Sequence, residues 1–401
     1  MVSLMTNEML SPLFDAGLPY LTPLTTAIVV LIIALLLIAI LSTAGYFPVL
    51  LSITSYTPVI ARIKAKGVPF IENEQVMGLL QSGSLPDCIN RLKTAGYLRN
   101  IPPECNSDQV EEEVLALWYE EVTLMRSESP QDAWEFFDAY LFFQELAKIK
   151  RILRFVHQHQ IKSFSENPVL WPDGFTYDLA IKVSNSQTVS ECVRIMQDTR
   201  YGIPLMNALP AYEKEHLLFY LEHALDCLGY DEISRQTSKV TSYLASPYRD
   251  FFSILADIQN VKTLIRFKHT GRDPGSAPVC LLPGGLEIPQ WRLVQLNEMM
   301  SVPDIVRQLS GTRFEPVLTP LIRKYPSPDS MVSFDLALDK LELDIVSRLS
   351  LDYYHTGGPL LWYLIAKEFE LRNIRVILSG LSEGFSAEMI TRMLVLTGGE
   401  A

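Results

Sequence analysis

The sequence predicts an all-α protein in which one membrane-spanning helix precedes three related helical subdomains. Three observations carry that prediction: an apolar run without charge, a 14-residue phrase written three times, and amphipathic runs of helical period with no alternating strand pattern of useful length. At 401 residues the chain exceeds the ~250 to 300 at which a single core stops growing, so repetition is an economical way to build it. Its 48% apolar and 20% charged residues suit a folded chain rather than a disordered or multi-pass membrane one.

The first element is the apolar run. From Ala16 through Ala61 there is no Asp, Glu, Lys, Arg or His, and residues 24–44 read LTTAIVVLIIALLLIAILSTA. At ~1.5 Å per residue they span ~31 Å, about one hydrocarbon core. Each Ile, Leu or Val favours insertion by ~0.3 to 0.6 kcal/mol, and the helix has no polar face to bury against protein. A cleaved signal peptide fits poorly, because Glu8 and Asp15 stand where basic residues belong and the run exceeds the ~7 to 15 residues of a signal core. The first charges downstream are Arg62, Lys64 and Lys66, and positive residues stay on the cytoplasmic side. The expected topology therefore places residues 24–44 in the lipid of the cell membrane, the N-terminus outside and the chain from about residue 56 onward in the cytoplasm.

The second element is the triplicated phrase: SLPDCINRLKTAGY at 84–97, TVSECVRIMQDTRY at 188–201 and SVPDIVRQLSGTRF at 301–314. Apolar residues recur at Leu85, Cys88, Ile89, Leu92, at Val189, Cys192, Val193, Met196 and at Val302, Ile305, Val306, Leu309, the i, i+3, i+4, i+7 spacing of one buried helix face. Ser84, Thr188 and Ser301 stand just ahead, with Asp87, Glu191 and Asp304 three residues on, a capping-box pattern that starts each helix the same way. Pro86 and Pro303 fall in the first turn, where a missing N–H costs nothing. Cys88 and Cys192 occupy the slot of Ile305 and read as small buried hydrophobes.

The third element is a longer helical match. QNVKTLIRF at 259–267 aligns with RNIRVILSG at 372–380 at an offset of 113, which puts Asn260 over Asn373 and Lys262 over Arg375. AKIKRILRF at 147–155 is the first copy, displaced by 112, which implies an eight-residue insertion in its body. The resulting boundaries are 1–55 for the tail and membrane helix, then 56–165, 166–275 and 276–401. Solenoid repeats run ~34 to 47 residues, whereas these units exceed 100.

Several classes of chemistry are excluded or unsupported. A net charge of −12 argues against nucleic acid, whose binders need a basic face. Five cysteines without a CxxC pair give neither a disulfide framework nor a zinc spacing. HQH at 157–159 reads as a solvated helix end, and PGG at 283–285 lacks the Lys-Ser/Thr of a phosphate loop and reads as a turn. His216 and His223 are seven apart, so on one helix they would share a face, but the surrounding Leu, Phe and Tyr point to packing. Glu111 to Glu113 read as a solvated helix start. No GxSxG and no Cys/His nucleophile signature occurs. No catalytic residue, metal, cofactor or small-molecule substrate is expected.

The stretch PLLWYLIAKEFELRNIRVILSG at 359–380 resembles the C-terminal helix of the C subunit of archaeal and bacterial A/V-type ATP synthases, a relative of the d subunit of eukaryotic V-ATPases, in its Pro359, Tyr363, Leu364, Lys367, Glu368, Glu370, Asn373, Ile374 and Arg375. SYTPVIARIKAK at 55–66, with Tyr56 and Arg62, is similar to the family's opening helix, and LLPGGLEI at 281–288 to its Pro-Gly-Gly turn. The resemblance runs from about Tyr56 to Leu396. It implies three helical subdomains about a pseudo-threefold axis, forming a funnel that sits on the membrane rotor ring, receives the foot of the central stalk and transmits torque without catalysing anything. It also implies interface roles for Tyr56, Arg62, Tyr363, Lys367, Glu368, Glu370, Asn373 and Arg375. By their spacing alone, Lys367, Glu368 and Glu370 are simply an exposed helix face. The membrane helix is then an addition of ~55 residues ahead of the family's usual start. A membrane-tethered helical scaffold of another complex and a divergent paralogue that does not rotate are the rival readings.

Overall fold

In the computed structural model every described element is helical; residues 23–43, 46–67, 73–82, 84–98, 107–160, 164–171, 174–239, 246–271, 281–283, 285–327 and 329–396 are described. The chain divides into two compact units, Met1–Ser55 and Tyr56–Ala401.

The first unit holds α1 (Pro23–Thr43) and the start of α2 (Tyr46–Lys66). Residues 27–40 of α1, built wholly of Ile, Leu, Val and Ala, are exposed on every face, so their apolar surface is not covered by this fold. Its window Thr25–Ser42 is long and apolar enough to cross a membrane.

In the second unit the three phrases fold alike. They form α4 (Leu85–Thr94), α8 (Val189–Ile195) and α13 (Val302–Gln308), and in each the cap hydroxyl of Ser84, Thr188 or Ser301 accepts the amide N–H three residues on. The acid's answer depends on its length. Asp87 and Asp304 are too short to reach the backbone and take the hydroxyl proton of Ser84 and Ser301 at 2.9 and 2.5 Å. Glu191, one methylene longer, accepts the backbone N–H of Gln187 at 2.9 Å. Cys88, Cys192 and Ile305 are all fully buried, and burial pushes both thiols up to about 11.

Six long helices form the frame: α5 (Ser107–Glu128), α6 (Gln131–His157), α10 (Phe219–Lys239), α11 (Ser246–His269), α15 (Ser330–Asp352) and α16 (Gly358–Ser382). They contact in the cyclic order α5, α6, α10, α11, α15, α16 and back to α5, which closes a ring. Short helices fill the outside: α3 (Asn73–Leu80) beside α4, α7 (Tyr177–Ser184) and α9 (Gly202–Glu215) beside α8, α12 (Gln290–Glu298) and α14 (Glu315–Ile322) beside α13, and the final α17 (Ala387–Thr391).

Each short bundle straddles two copies. The core of the second joins α8 and its neighbours to the end of α6 and to Leu221 and Leu225 of α10, and that of the third joins α13 to α11 and α15. By the same rule the first bundle, α3 to α5 with Tyr56, Val59 and Ile63 of α2, is completed by α16 at the far end of the chain. The hydrophobic cores are thus shifted by one long helix from the sequence repeats.

A polar clamp fixes the register of all three copies. Asn373 donates to Val395 O at 2.7 Å and accepts Val395 N–H at 3.0 Å, while Asn260 does the same to Leu282 at 3.0 and 2.7 Å. In the first copy Lys148 donates to Leu170 O. The span is 22 residues in each case. The supposed eight-residue insertion is in fact a shortening. Ser84 to Lys148 covers 64 residues where Thr188 to Asn260 and Ser301 to Asn373 cover 72, and no described helix between α4 and α5 corresponds to α9 or α14.

Candidate functional site

The three second helices of the copies, α6, α11 and α16, meet at their N-terminal ends. Phe136 stacks on Tyr248 with ring centroids 4.3 Å apart, and the Tyr248 hydroxyl lies so close to Gly357 that a side chain there would overlap it. One turn further in, Tyr140, Phe252 and Ile365 occupy equivalent positions at offsets of 112 and 113 and face a cavity. They floor it. Tyr56, fully buried, reaches this closed end from outside, its hydroxyl 3.4 Å from that of Tyr248.

Above the floor the cavity encloses about 530 Å³ and is lined by all six long helices. Ion pairs tie each second helix to the first helix of the next copy. Lys150 of α6 pairs with Asp226 of α10, Lys262 of α11 with Asp339 of α15 at 2.6 Å, and Arg375 of α16 with Glu111 of α5 at 2.7 Å. A further turn along, Arg154 meets Glu222 at 2.5 Å and Arg266 meets Asp335 at 2.9 Å. The lining carries eight Lys and Arg against five Asp and Glu, a positive excess in a chain whose net charge is −12.

Several groups in the wall are perturbed. Lys148, half-buried beside the Tyr119 and Trp171 rings, is pulled down to about 8, chiefly by loss of water, with Glu145 opposing. Glu342 is pushed up to about 7 by enclosure, offset by Lys262 and reinforced by Glu368. Glu368 is raised by the same enclosure, against hydrogen bonds from Gln144 and Tyr140. Both carboxylates are walled in by protein yet reached by water from the cavity.

The residues singled out in the sequence scatter around this site. Glu368 and Arg375 line the cavity. Tyr363, Glu370 and Asn373 are buried on the other side of α16, against the first bundle. Tyr363 donates to Glu121 at 2.5 Å, and Glu370 takes the Tyr97 hydroxyl proton and pairs with Lys367, which lies over the Tyr97 ring. Arg62 pairs with Glu128. The exposed-face reading of Lys367 and Glu370 therefore fails, because the first bundle folds over them. Glu111 is likewise no solvated helix start, being buried between Arg151 and Arg375. His216 and His223 do not share a helix: His216 ends α9 in left-handed conformation at φ 54°, and His223 belongs to α10, 3.1 Å from the Cys227 sulfur. Among the described residues no group of His, Cys, Asp and Glu is placed to hold a metal. Sequence reasoning missed Asp226, Asp339 and the floor residues, although their offsets of 112 and 113 were there to find.

The turn expected at Pro-Gly-Gly falls partly outside the described residues, but the segment just after it is held by a buried carboxylate. Asp257 accepts the N–H groups of Leu286 and Glu287 at 2.8 Å each, and Gly285 lies where any Cβ would overlap it.

The sequence profile of the family described as ATP synthase (C/AC39) subunit matches residues 59–393. The chain belongs to that family. It is 25% identical to the C subunit of the A-type ATP synthase of Methanocaldococcus jannaschii over 352 residues, covering 86% of this chain and 87% of that one. The C subunit from Methanothermobacter thermautotrophicus is 26% identical over 339 residues, 83% and 86% of the two chains. That of Methanobrevibacter smithii is 24% identical over 392 residues, 98% of this chain and 100% of its own. The last match leaves only about eight residues of this chain outside it, so the leading segment has a counterpart there and is not an addition peculiar to this protein. As a member of the family this chain is a structural, non-catalytic subunit of a membrane-associated ATP synthase.

Proposed function

We propose that this subunit is the rotor adaptor of its ATP synthase, seating the foot of the central stalk in the six-helix cavity and standing on the membrane ring by its closed end. The observation that carries the reading is the cavity itself, ringed by six helices, floored by Tyr140, Phe252 and Ile365 and braced by ion pairs at the three seams between copies. Two of those pairs cross helices that belong to different copies through buried carboxylates, so twisting one wall against another strains charged contacts that water cannot replace cheaply. A coupling that carries torque needs an interface above ~1,000 Å² with desolvated anchors, which a socket supplies better than a flat face.

The closed end faces the membrane in this reading, because Tyr56 lies there and the lipid segment 24–44 ends only a dozen residues before it. Arg62, Lys64 and Lys66 set the cytoplasmic side, leaving the N-terminus outside. A membrane helix that turned outside the ring would sweep into the stator once per revolution, so it drops into the lipid-filled lumen of the ring. A cysteine at Ile33 that cross-links to outer rather than inner ring helices refutes that placement.

Affinity purification of the full chain from detergent-solubilised membranes tests the main proposal. Co-purification of the ATPase head and ring subunits is expected. Their absence, with other proteins recovered instead, would favour a membrane-tethered scaffold. Protease protection of a tag at the N-terminus in sealed right-side-out vesicles would reverse the assigned topology.

A further inference from the structure

Two carboxylates break the threefold pattern of the cavity wall. The hairpin α15–α16 presents Glu342 and Glu368 to the cavity. By the offset of 113 that relates Asp226 to Asp339 and Asn260 to Asn373, the matching residues of α10–α11 are Gly229 and Leu255. By the offset of 112, α6 holds Phe143 at the Glu368 position. Phe143 and Leu255 face the cavity as Glu368 does. Gly229 has no room for a longer side chain, since a Cβ would lie 2.9 Å from the Phe143 ring. One wall in three is acidic at this level, and the others are apolar.

The acidic wall is also incomplete. Glu368 accepts the Tyr140 hydroxyl at 3.1 Å. Glu342 has no hydrogen bond and no ion pair among the described residues. The nearby cations are engaged elsewhere: Lys262 and Arg372 both pair with Asp339, at 2.6 and 2.5 Å, and Arg375 pairs with Glu111. The two glutamates repel each other, and each raises the other's cost of ionisation in an enclosed site.

A socket with three like walls offers its occupant three docking orientations 120° apart. A coupling that must not slip needs one of them to be preferred. We infer that Glu342 and Glu368 form a rotational key, a notch on one wall of three that accepts a basic side chain, Lys or Arg, of the component seated in the cavity and so fixes a single register. The inference rests on the seating proposed above. A cation in the notch completes Glu342 and relieves the repulsion between the two acids, whereas the same cation turned towards Phe143 or Leu255 is buried against apolar surface without a partner. With these two acids set aside, the wall holds eight basic residues against three acidic ones, so the occupant's other faces are acidic.

The test uses the assembled enzyme in detergent, with a photo-cross-linking benzophenone side chain placed at Ala147 or at Gln259, cavity positions related by 112 residues. In the otherwise unaltered enzyme the two positions should label different peptides of the occupant. In the Glu342→Gln/Glu368→Gln background, which keeps side-chain volume, the two labelled sets should merge, with at least half of the peptides shared. Glu342→Gln alone removes a charge that no described residue pairs with, and it should already produce partial overlap if the double variant fails to assemble. Separate peptide sets in the glutamine variants overturn the key and leave the socket standing. Shared sets in the unaltered enzyme do the same. No cross-link to another subunit from either position overturns the seating itself.

Discussion

Replacing Asn373 by alanine removes the clamp that ties α16 to the segment before the C-terminus. The side chain is 1% exposed and makes two hydrogen bonds to Val395, at 2.7 and 3.0 Å. Each bond contributes a net ~1 kcal/mol, and removing the amide also strands the Val395 N–H and C=O in a buried site, so the total loss should reach about 3 kcal/mol. A folded unit of roughly 350 residues has an unfolding entropy near 0.7 kcal/mol/K, which converts that loss into a fall in Tm of about 4 °C. Asn260→Ala should lose the same amount, because it holds Leu282 by the same pair of bonds. Lys148→Ala should lose about half of the clamp, since Lys148 makes one clamp bond, to the carbonyl of Leu170, whose N–H already bonds to Asn167 O. Urea and thermal unfolding of the full chain in detergent, followed by circular dichroism, reads all three. A loss below ~1 kcal/mol for both asparagines would refute the claim that the clamp sets the repeat register.

Gly285→Ala drives a methyl group into the Asp257 carboxylate and should destabilise by about 2 to 3 kcal/mol, less so in an Asp257→Ala background, as thermal melts would show. Burial pushes Asp257 up to about 6, against the N–H groups of Leu286 and Glu287 that favour its charged form. A raised acid binds its proton more tightly folded than unfolded, so the wild type should lose roughly 2 to 3 kcal/mol relative to Asp257→Asn as pH rises from about 4 to 6, measured by urea midpoints across that window. Asp339→Ala strands Lys262 and Arg372 and should cost ~3 to 5 kcal/mol, whereas Glu388→Ala, whose pair with Arg392 is exposed, should stay within ~0.5 kcal/mol in the same assay.

The features legible in the sequence are those set by local rules. The caps at Ser84, Thr188 and Ser301 and the buried faces behind them need only a turn and a half of helix to be satisfied, and all three formed as their spacing implies. The lipid-length helix was legible because its composition alone decides it. What failed was the polar face of α16. Lys367 and Glu370 have the spacing of solvent-facing charges, and only the return of α16 to the first bundle covers them with Tyr97, whose partner Glu370 lies 273 residues away. Glu111 was misread for the same reason, since its partners come from α6 and α16. The cavity wall was half legible: Lys262 and Arg375 fell into register, but their acids lie on other helices, where no local pattern announces them.

That α16 completes the core of the first bundle has a consequence for biosynthesis. A nascent chain that has made α3 to α5 still exposes Ile89, Leu92 and Val114, whose covering residues Leu364 and Ile374 emerge some 250 residues later. At ~5 to 20 residues per second that wait lasts tens of seconds, long enough for an uncovered apolar face to attract chaperones or neighbouring polypeptides. Chains cut short anywhere before residue 358 would leave the ribosome with an open hoop, visible to quality control by the patch that only the final long helix can cover.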